Sequence, residues 1–412
     1  MVTPHFEQAQ LEYARYAVSP HFLQVIQTLH KTGQLSRTDL ANELGYSRAL
    51  VSGIVKDLLA HNVIREIGDA ASTGGRRARL LDFNSAFAYV VGVDIGATSV
   101  DIGVANFRGE IVERHHDAID VFDGPEPILT HVVRLIQQLL AKAKIAPGDV
   151  DALGIGVPGP VDFEKGVLIA PPIMPGWENY PIRQFLRKTF PQAAVVVDND
   201  VNVMALGEMR YGSGTAVDNF IFVKVGTGIG AGIVVARTIY RGSDGCAGDI
   251  GHIMVMRDGP VCHCGNIGCI EAMASGMAIA QRATEAARNN TSAILASYLT
   301  AGSAQITAKE VGLAAQQGDR VALDIIKSSG SLLGDVLAGL VNFFNPRMII
   351  IGGGVSKIGN QYLASIRRAI LKRSLSLSTR HLQINYSPIV DEVGLRGALE
   401  LARDHLFVEV AK

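Results

Sequence analysis

Cysteine is scarce in this chain, and the few cysteines are unevenly distributed. Only four occur among 412 residues, and three of them lie in the stretch "PVCHCGNIGCIE", residues 260–271. So few cysteines in so long a chain exclude a small domain held together by disulfides. Three thiols in one short stretch favour a metal site instead, and the fourth, Cys246, is expected to be a small buried residue.

The chain also lacks long apolar runs and an excess of charge of either sign. It contains no uncharged apolar run of about 18 residues and no N-terminal charged-then-apolar signal, which predicts a cytoplasmic protein without membrane insertion. The net charge of −1 gives no indication of a polyanionic partner. A hydrophobic content of 48% and a charged content of 19% indicate a globular protein, and the length suggests two to three domains.

The first eighty residues carry the pattern of a helix-turn-helix. A first amphipathic helix is predicted in "SPHFLQVIQTLHKTG". In the following stretch, "LSRTDLANELG", a second helix is predicted with Ser36 as a good N-cap and Asp39 three residues later in a near capping-box pattern. Gly45 ends this short helix, and "YSRALVSGIVKDLLAHN" starts a longer helix at Ser47. Two capped helices separated by one tight turn are typical of a DNA-binding domain.

A basic wing follows the longer helix. "VIREIG" and "RLLDF" alternate like strands and flank the basic loop "DAASTGGRRA". The helix would enter the major groove of double-stranded DNA, and the wing would contact phosphates or the minor groove. The predicted DNA-contacting residues are Ser36, Arg37, Ser47, Arg48, Ser52, Lys56, Arg76 and Arg77. The alternative is a small helical protein-interaction module whose arginines are simply solvated.

Two glycine-rich hairpins repeat one pattern about 130 residues apart. "YVVGVDIGATSVDIGVANFRGEIV" and "FIFVKVGTGIGAGIVVARTIYRG" both read as strand, glycine turn, strand, turn, strand, which predicts a duplicated domain. Small residues at the turns let backbone N–H groups approach a phosphate. The predicted phosphate-binding residues are Asp94, Gly96, Thr98, Gly226, Thr227 and Gly228. Two ordinary glycine-rich hairpins are the alternative.

Other nucleotide-binding motifs do not fit these turns. "GTGIGAG" has no G-x-G-x-x-G register and precedes a β-rich run, which excludes a Rossmann motif, and no Gly-Lys-Ser/Thr of a Walker A motif is present. A third glycine cluster, "IIIGGGVS", ends a buried strand. Its Gly353 and Gly354 are suited to close approach by the sugar or base of a nucleotide.

Polar residues end the buried strand in "AVVVDNDVNVMALGEMRYG". Asn199 and Asp200 lie at its carboxyl end, where α/β folds place ligands. An Asp at such an edge can take a proton from an attacking hydroxyl while Asn199 orients it. The alternative is that either residue caps the following helix.

The cysteine-rich stretch predicts a closed zinc site. His252 of "AGDIGH" precedes Cys262, Cys264 and Cys269, which have the spacing C-x-C-x4-C. Three thiolates and one imidazole complete a tetrahedral Zn²⁺ and leave no position for a reacting water, so the zinc would be structural. The site would anchor the loop that carries Glu271. His263 is a competing ligand, and accidental free thiols are the alternative.

Several motifs in the right order resemble the ROK family of repressors, open reading frames and kinases, from about residue 18 to the C-terminus. They are "DIGATS", "GVPGPVD", "PGWENYPI", "DNDVNVMALGE", "GTGIGAGIV", "AGDIGH", "CHCGNIGCIE" and "NPRMIIIGGGVS". The resemblance implies an α/β fold: a winged helix-turn-helix head followed by a duplicated, two-lobe, actin-like (hexokinase-type) ATPase fold with a cleft between the lobes.

The resemblance also implies roles for individual residues. Asp200 matches the kinase base that activates a sugar hydroxyl. The predicted sugar-binding residues are Asn199, Asp200, Asp249, His252 and Glu271, and the metal ligands are His252, Cys262, Cys264 and Cys269. Asp249 stands where kinases of the family have Glu, Arg77 replaces a common Pro in the wing, and Pro172 replaces a common Asn.

The sequence thus predicts a sugar-responsive, DNA-binding transcriptional regulator, a repressor of carbohydrate uptake or metabolism genes. Its expected effector is a monosaccharide or sugar phosphate. A homodimer or a dimer of dimers is expected because helix-turn-helix heads read paired half-sites. The alternative is an ATP-dependent sugar kinase of the glucokinase type, which would need ATP and Mg²⁺. The predicted units are an arm at 1–17, the head at 18–82, one lobe at 86–200 with 391–412 packed on it, and a second lobe at 201–390.

Overall fold

The structure is a computed structural model that describes residues 20–69, 79–300 and 305–409. The predicted arm at 1–17 and the wing residues Arg76 and Arg77 lie outside these ranges. The predicted fold class is confirmed: a helix-turn-helix head precedes two α/β lobes, each built on a five-stranded sheet. No helix in the described ranges is both long and apolar enough to cross a membrane.

The head combines three helices with a small antiparallel sheet whose strand order is β1-β3-β2. Its elements are α1 (Pro20–Thr32), β1 (Leu35–Ser36), α2 (Arg37–Leu44), α3 (Arg48–Ala60), β2 (Ile64–Asp69) and β3 (Arg79–Phe83). The apolar sides of α1, α2 and α3 meet in one buried cluster, which extends onto the first lobe. The head is therefore packed against the lobe.

The caps of the head helices follow from their sequence. The Ser36 Oγ accepts the Asp39 N–H at 3.2 Å, and the Asp39 carboxylate accepts the Ser36 N–H at 3.0 Å, which completes the predicted capping box of α2. Gly45 ends α2 with a φ of 67°, a conformation that glycine adopts at little cost. The Ser47 Oγ accepts the Leu50 N–H at 3.2 Å at the start of α3.

The two lobe sheets have the same topology. Their orders are β6-β5-β4-β7-β10 and β13-β12-β11-β14-β15; in each, the first three strands form an antiparallel meander and the last two add in parallel. The identical order confirms the duplication predicted from the two hairpins. The strands of the first sheet are β4 (Tyr89–Ile95), β5 (Ser99–Asn106), β6 (Ile111–Ala118), β7 (Val150–Val157) and β10 (Ala194–Asn199). The strands of the second sheet are β11 (Phe220–Val225), β12 (Ile229–Val235), β13 (Thr238–Tyr240), β14 (Met348–Gly352) and β15 (Gln383–Tyr386). A separate antiparallel hairpin consists of β8 (Val161–Asp162) and β9 (Val167–Leu168).

Helices cover these sheets and bury an apolar core in each lobe. In the first lobe they are α4 (Pro125–Ala143) and α5 (Ile182–Arg187), and α6 (Asp200–Tyr211) connects it to the second. The second lobe contains α7 (Ile270–Ala274), α8 (Gly276–Arg288), α9 (Ala293–Thr300), α10 (Ala308–Gln316), α11 (Arg320–Phe344), α12 (Asn360–Arg373) and α13 (Ser376–Thr379). The final helix, α14, spans Val393–Glu409.

Helix α14 lies directly on the backbone of its neighbours. A side chain at Gly154 of β7 would overlap the carbonyl of Ala398, and one at Gly397 of α14 would overlap the carbonyl of Val203 in α6. Leu395 and Leu399 on α14 also belong to the apolar cluster of the head. Helix α14 therefore joins the first sheet, α6 and the head.

Candidate functional site

The first sheet ends in a row of acidic residues. The strand register sets Asp94 of β4 and Asp198 of β10 on either side of Gly156 in β7. Gly156 has no side chain, so the Asp94 carboxylate can occupy the space above it; a Cβ there would lie 3.2 Å from the Asp94 Oδ1. Both carboxylates are more than nine-tenths buried. Two of the three parallel strands, β4 and β10, thus carry a carboxylate at this edge of the sheet.

Asn199 caps α6 and also holds the neighbouring loop. Its Oδ1 accepts the N–H groups of Val201 at 2.9 Å and Asn202 at 3.2 Å, and its Nδ2 donates to the carbonyl of Gly159 at 2.9 Å. The capping alternative therefore applies to Asn199, and Asp200 occupies the first turn of the helix. A direct contact of Asn199 with a sugar stays a prediction.

Asp200 is buried and paired with Lys224, which is not among the predicted site residues. It is 4% exposed, and its Oδ2 accepts a hydrogen bond from the Lys224 Nζ of β11, in the second sheet. Burial by itself lowers the pKa of Lys224, but Asp200 and Asp94 outweigh it and the pKa is raised, so the lysine is an ammonium ion. Burial raises the pKa of Asp94 to about 7, with Lys224 opposing the shift.

A second ion pair lies beside this one. The Arg241 Nε and Nη2 donate to the Asp198 Oδ2 at 2.9 and 2.7 Å, and the guanidinium lies 3.9 Å from the ring centroid of Phe163. The Asn202 Nδ2 donates to the other Asp198 oxygen at 3.1 Å. Asp198 therefore stabilises the second lobe against the first.

The predicted phosphate-binding residues form two tight turns. The Gly96 N–H donates to the Ser99 carbonyl at 2.7 Å, and the Gly226 N–H donates to the Gly228 carbonyl at 2.9 Å. Thr98 is exposed, and Thr227 is partly buried. Gly353, with a φ of 81°, approaches the backbone of β11, and Gly354 is exposed in the following 3₁₀ turn.

Glu271 supports the second of these turns. Its Oε2 accepts the Ile229 N–H at 2.9 Å, and a side chain at Gly228 would collide with the same oxygen. The carboxylate lies on the first turn of α7, two residues after Cys269. The structure therefore connects the cysteine cluster to the glycine turn through one residue.

The predicted metal ligands come together as one cluster. One ligand atom from each of His252, Cys262, Cys264 and Cys269 lies within 4.8 Å of all the others. The sulfurs of Cys264 and Cys269 are 3.8 Å apart, and the Cys262 Sγ lies 3.6 Å from the His252 Nδ1. A tetrahedral Zn²⁺ with Zn–S of about 2.3 Å and Zn–N of about 2.0 Å separates such pairs by about 3.8 and 3.6 Å. The donor set and its spacing therefore fit zinc.

His252 faces two ways, as its predicted double role requires. The Nδ1 points to the sulfurs, and the Nε2 lies 3.7 Å from the Asp249 Oδ1. The side chain of Asp249 is 45% exposed, which leaves it open to a ligand. Cys246, expected to be buried, is exposed instead, because it lies in the loop before Asp249 and outside the cluster.

The predicted DNA-contacting residues divide into exposed and structural ones. Arg48, Ser52 and Lys56 are exposed along one side of α3, and Ser47 is exposed while capping it. Arg37 pairs with Glu66 of β2 at 2.7 Å. Ser36 is 2% exposed and has its hydroxyl in the capping box, so it is not placed to contact DNA; the cap explains it.

A buried polar network joins the head to α14 and α6. The His30 Nε2 of α1 lies 3.0 Å from the Glu400 carboxylate, and the Arg403 Nη2 donates to the His30 Nδ1 at 3.1 Å. Glu400 also accepts hydrogen bonds from Arg403 and from the Tyr211 hydroxyl at the end of α6. Burial alone would raise the pKa of Glu400, but Arg403 and His30 hold it well below its usual range. We name these four residues, His30, Tyr211, Glu400 and Arg403, the head joint.

Comparison with known proteins gives these features a family. Residues 90–405 match the ROK family. The chain belongs to the ROK family. A xylose repressor of Caldicellulosiruptor bescii is 32% identical over 380 residues, covering 92% of this chain and 94% of the repressor. A glucokinase of Thermotoga maritima is also 32% identical, but covers 77% of this chain and 98% of the kinase.

Solved ROK structures divide in the same way. The crystal structure of a ROK family transcriptional regulator, described as a homolog of the E. coli MLC protein, is 25% identical and covers 98% of each chain with a TM-score of 0.81. A ROK family glucokinase from Streptomyces griseus, in complex with glucose and AMPPNP, is 34% identical and covers 77% of this chain with a TM-score of 0.67. The regulators therefore match the head as well as the lobes, whereas the kinases match a shorter part of this chain.

Proposed function

We propose that this ROK protein is a sugar-responsive transcriptional regulator that acts in the cytoplasm as a repressor of carbohydrate uptake or metabolism genes. The observation that carries the proposal is the complete head in front of the two lobes. Both the xylose repressor and the regulator structure align with more than nine-tenths of this chain. A sugar kinase needs the lobes but has no use for a DNA-binding head.

The head would bind a double-stranded operator through α3. Arg48, Ser52 and Lys56 recur every four residues on its exposed side, so they can enter one major groove together. Arg37 and Ser47 border this surface, and Arg76 and Arg77 of the wing would add phosphate or minor-groove contacts. Two heads in a homodimer, or in a dimer of dimers, would read paired half-sites.

The effector would be a monosaccharide bound where the two sheets meet. Asp200, Asp249, His252 and Glu271 offer carboxylate and imidazole groups to sugar hydroxyls, with Asn199 beside them. Binding there would favour one arrangement of the lobes. Helix α6 begins at Asp200 and ends at Tyr211, which donates to Glu400 of α14, so a shift of α6 would reach His30 of the head through Glu400.

We propose that the cluster of His252, Cys262, Cys264 and Cys269 holds a structural Zn²⁺. The closed set of four ligands leaves no position for a reacting water, so zinc would stabilise the loop rather than take part in a reaction. The Asn266 Nδ2 donates to the Cys264 Sγ at 3.5 Å, a hydrogen bond that suits a metal-bound thiolate. The bound loop would then present His252 and Glu271 to the sugar.

The test of regulation is a gel shift with DNA from the region upstream of the protein's own gene. The wild-type protein should shift this DNA, and one monosaccharide of a panel should change the shift. Arg48→Ala and Lys56→Ala should weaken binding about tenfold each, whereas Lys309→Ala, an exposed charge on α10, should not. Binding that no sugar alters, or no binding at all, would contradict the proposal.

A second candidate, an ATP-dependent sugar kinase, is favoured by the intact glycine turns and by Asp200. ATP would then supply the phosphoryl group, and Mg²⁺ would neutralise its charge. Asp200 would take the proton from the sugar hydroxyl. The residues that would hold the nucleotide phosphates are Asp94, Gly96, Thr98, Gly226, Thr227 and Gly228. A coupled assay of ADP formation across hexoses decides the question. Sugar-dependent ADP formation that Asp200→Asn abolishes would establish the kinase, and equal rates in both proteins would exclude it.

A further inference from the structure

Lys224 is a charged residue in an otherwise apolar strand. Its neighbours in β11, Val223 and Val225, are fully buried, and the side chain of Lys224 itself is 19% exposed. A buried ammonium ion is unfavourable unless it is paired. A hydrophobic residue would fit the strand better, so the lysine needs an explanation in the site.

Glycine beside Lys224 lets α6 approach the second sheet. The residue opposite Lys224 in β12 is Gly230, where a Cβ would lie 3.0 Å from the Val201 Cγ2 of α6. The first turn of α6, with Asp200, therefore lies close to the lysine. There its Nζ donates to the Asp200 Oδ2, so a residue of the second sheet reaches an acid that follows the first.

Carboxyl groups outnumber the cations around Asp200 within the part of the chain that the structure describes. Lys224 is paired with Asp200, and Arg241 is paired with Asp198. Asp94 adds a third carboxyl group, whose Oδ1 is buried without a hydrogen-bond partner. Both cations are therefore committed to carboxylates, and a sugar phosphate would bring a further negative charge to a site whose balance is neutral or negative.

The same pairing opposes the role of Asp200 as a base. A base must accept the proton of the sugar hydroxyl during phosphoryl transfer. The Asp200 Oδ2 already accepts a hydrogen bond from the Lys224 Nζ, so this oxygen has a donor before any sugar hydroxyl arrives. As a hydrogen-bond acceptor, in contrast, Asp200 can bind a sugar hydroxyl without any proton transfer.

We propose that Lys224 is a positioning residue that commits this site to binding an unphosphorylated monosaccharide without phosphorylating it. It holds the Asp200 carboxylate in place as a hydrogen-bond acceptor for the sugar. The inference rests on the proposed sugar-responsive function and names the chemical class of its effector.

The test is calorimetric titration of the full-length protein with D-xylose, D-glucose, D-mannose, N-acetylglucosamine and D-glucose 6-phosphate. The wild-type protein should bind at least one of the neutral sugars more tightly than the sugar phosphate. Lys224→Met should weaken that binding by about tenfold, as expected for the loss of a charge-assisted contact, and Lys224→Arg should restore most of it. Lys224→Gln provides a second neutral variant if the methionine variant does not fold.

A double-mutant cycle separates positioning from a general structural effect. In the Asp200→Asn background, Lys224→Met should change sugar affinity by less than about twofold, because its partner is already gone. An equal loss in both backgrounds, or no loss in either, would overturn the inference. So would tighter binding of D-glucose 6-phosphate, absence of binding of all four neutral sugars, or sugar-dependent ADP formation by the wild-type protein.

The experiments distinguish a failure of the proposed regulatory function from a failure of the proposed role of Lys224. If the wild-type protein binds a neutral sugar and the cycle behaves as expected, but no sugar changes the gel shift, then the regulatory function fails and the role of Lys224 stands. If the gel shift responds to a sugar while the cycle shows no coupling, the regulatory function stands and the role of Lys224 fails.

Discussion

Among single residues, Cys264 is the one whose substitution tests how metal binding affects the response to sugar. Cys264→Ser removes one of four ligands, so the protein should lose zinc, unfold at a lower temperature and respond more weakly to sugar, although no cysteine contacts the sugar. Zinc content and thermal melting measure the first two effects, and the gel shift measures the third. Cys246→Ser is the matched control, because Cys246 is exposed and outside the cluster.

An unchanged sugar response in a zinc-free Cys264→Ser protein would contradict this view of the loop. Glu271 would then keep its position without the metal, through its hydrogen bond with the Ile229 N–H alone.

The raised pKa values of Asp94 in β4 and Asp151 in β7 determine how the stability of the protein should depend on pH. Burial raises the pKa of both to about 7, from an unfolded value near 3.8. Between these values the folded protein binds more protons than the unfolded chain, so its stability should fall as pH rises from about 4 to 7, and level off above that. The slope is at most about 1.4 kcal/mol per pH unit for each acid.

Urea unfolding at a series of pH values tests this dependence. Asp94→Asn should flatten the fall between pH 5 and 7, and Asp94→Asn with Asp151→Asn should flatten it further. A fall of the same steepness in the wild type and both variants would show that neither carboxyl group causes it.

At the scale of elements, the helix-turn-helix contains residues that stabilise the head and residues that are expected to face DNA. Ser36→Ala removes the cap of α2 and should cost about 1 kcal/mol of stability. Ser52→Ala, on the exposed side of α3, should leave stability nearly unchanged and weaken DNA binding. Chemical unfolding and gel shifts of the two variants check the contrast, and a reversed pattern would refute it.

Local patterns were sufficient for these elements because their determinants are close in the chain. The capping box spans four residues, the glycine turns span three or four, and the clustered cysteines lie within eight residues of each other. Spacing alone therefore predicts each of them. The prediction that Ser36 contacts DNA is not supported by the structure, because spacing alone does not show that the capping hydroxyl faces inward.

At the scale of the whole molecule, the head joint is the contact through which a sugar could control DNA binding. His30 belongs to the head, whereas Glu400 and Arg403 belong to α14 and Tyr211 to α6. We predict that His30→Ala leaves sugar affinity within about twofold but reduces the effect of the sugar on DNA binding, because sugar binding and its transmission are separate. Calorimetry and gel shifts measure the two quantities.

His21→Ala is the matched control for the joint. His21 is an exposed histidine of the same helix, α1, and packs edge-on against Tyr46 within the head. Its substitution should preserve the sugar effect. Equal sugar effects in the wild type and in His30→Ala would show that the signal takes another route.

The sequence by itself determined the order of the elements, the duplication of the hairpins, the members of the cysteine–histidine cluster and the family, because each depends on residue types at short, regular spacings. Only the tertiary structure decided which charges meet. Lys224 and Asp200 are 24 residues apart, Arg241 and Asp198 are 43 apart, and Arg403 and His30 are 373 apart. No local pattern marks such pairs, since they form only when the two sheets, α6 and α14 pack together, and that packing brings both the acid of the sugar site and the histidine of the head into contact with a cation.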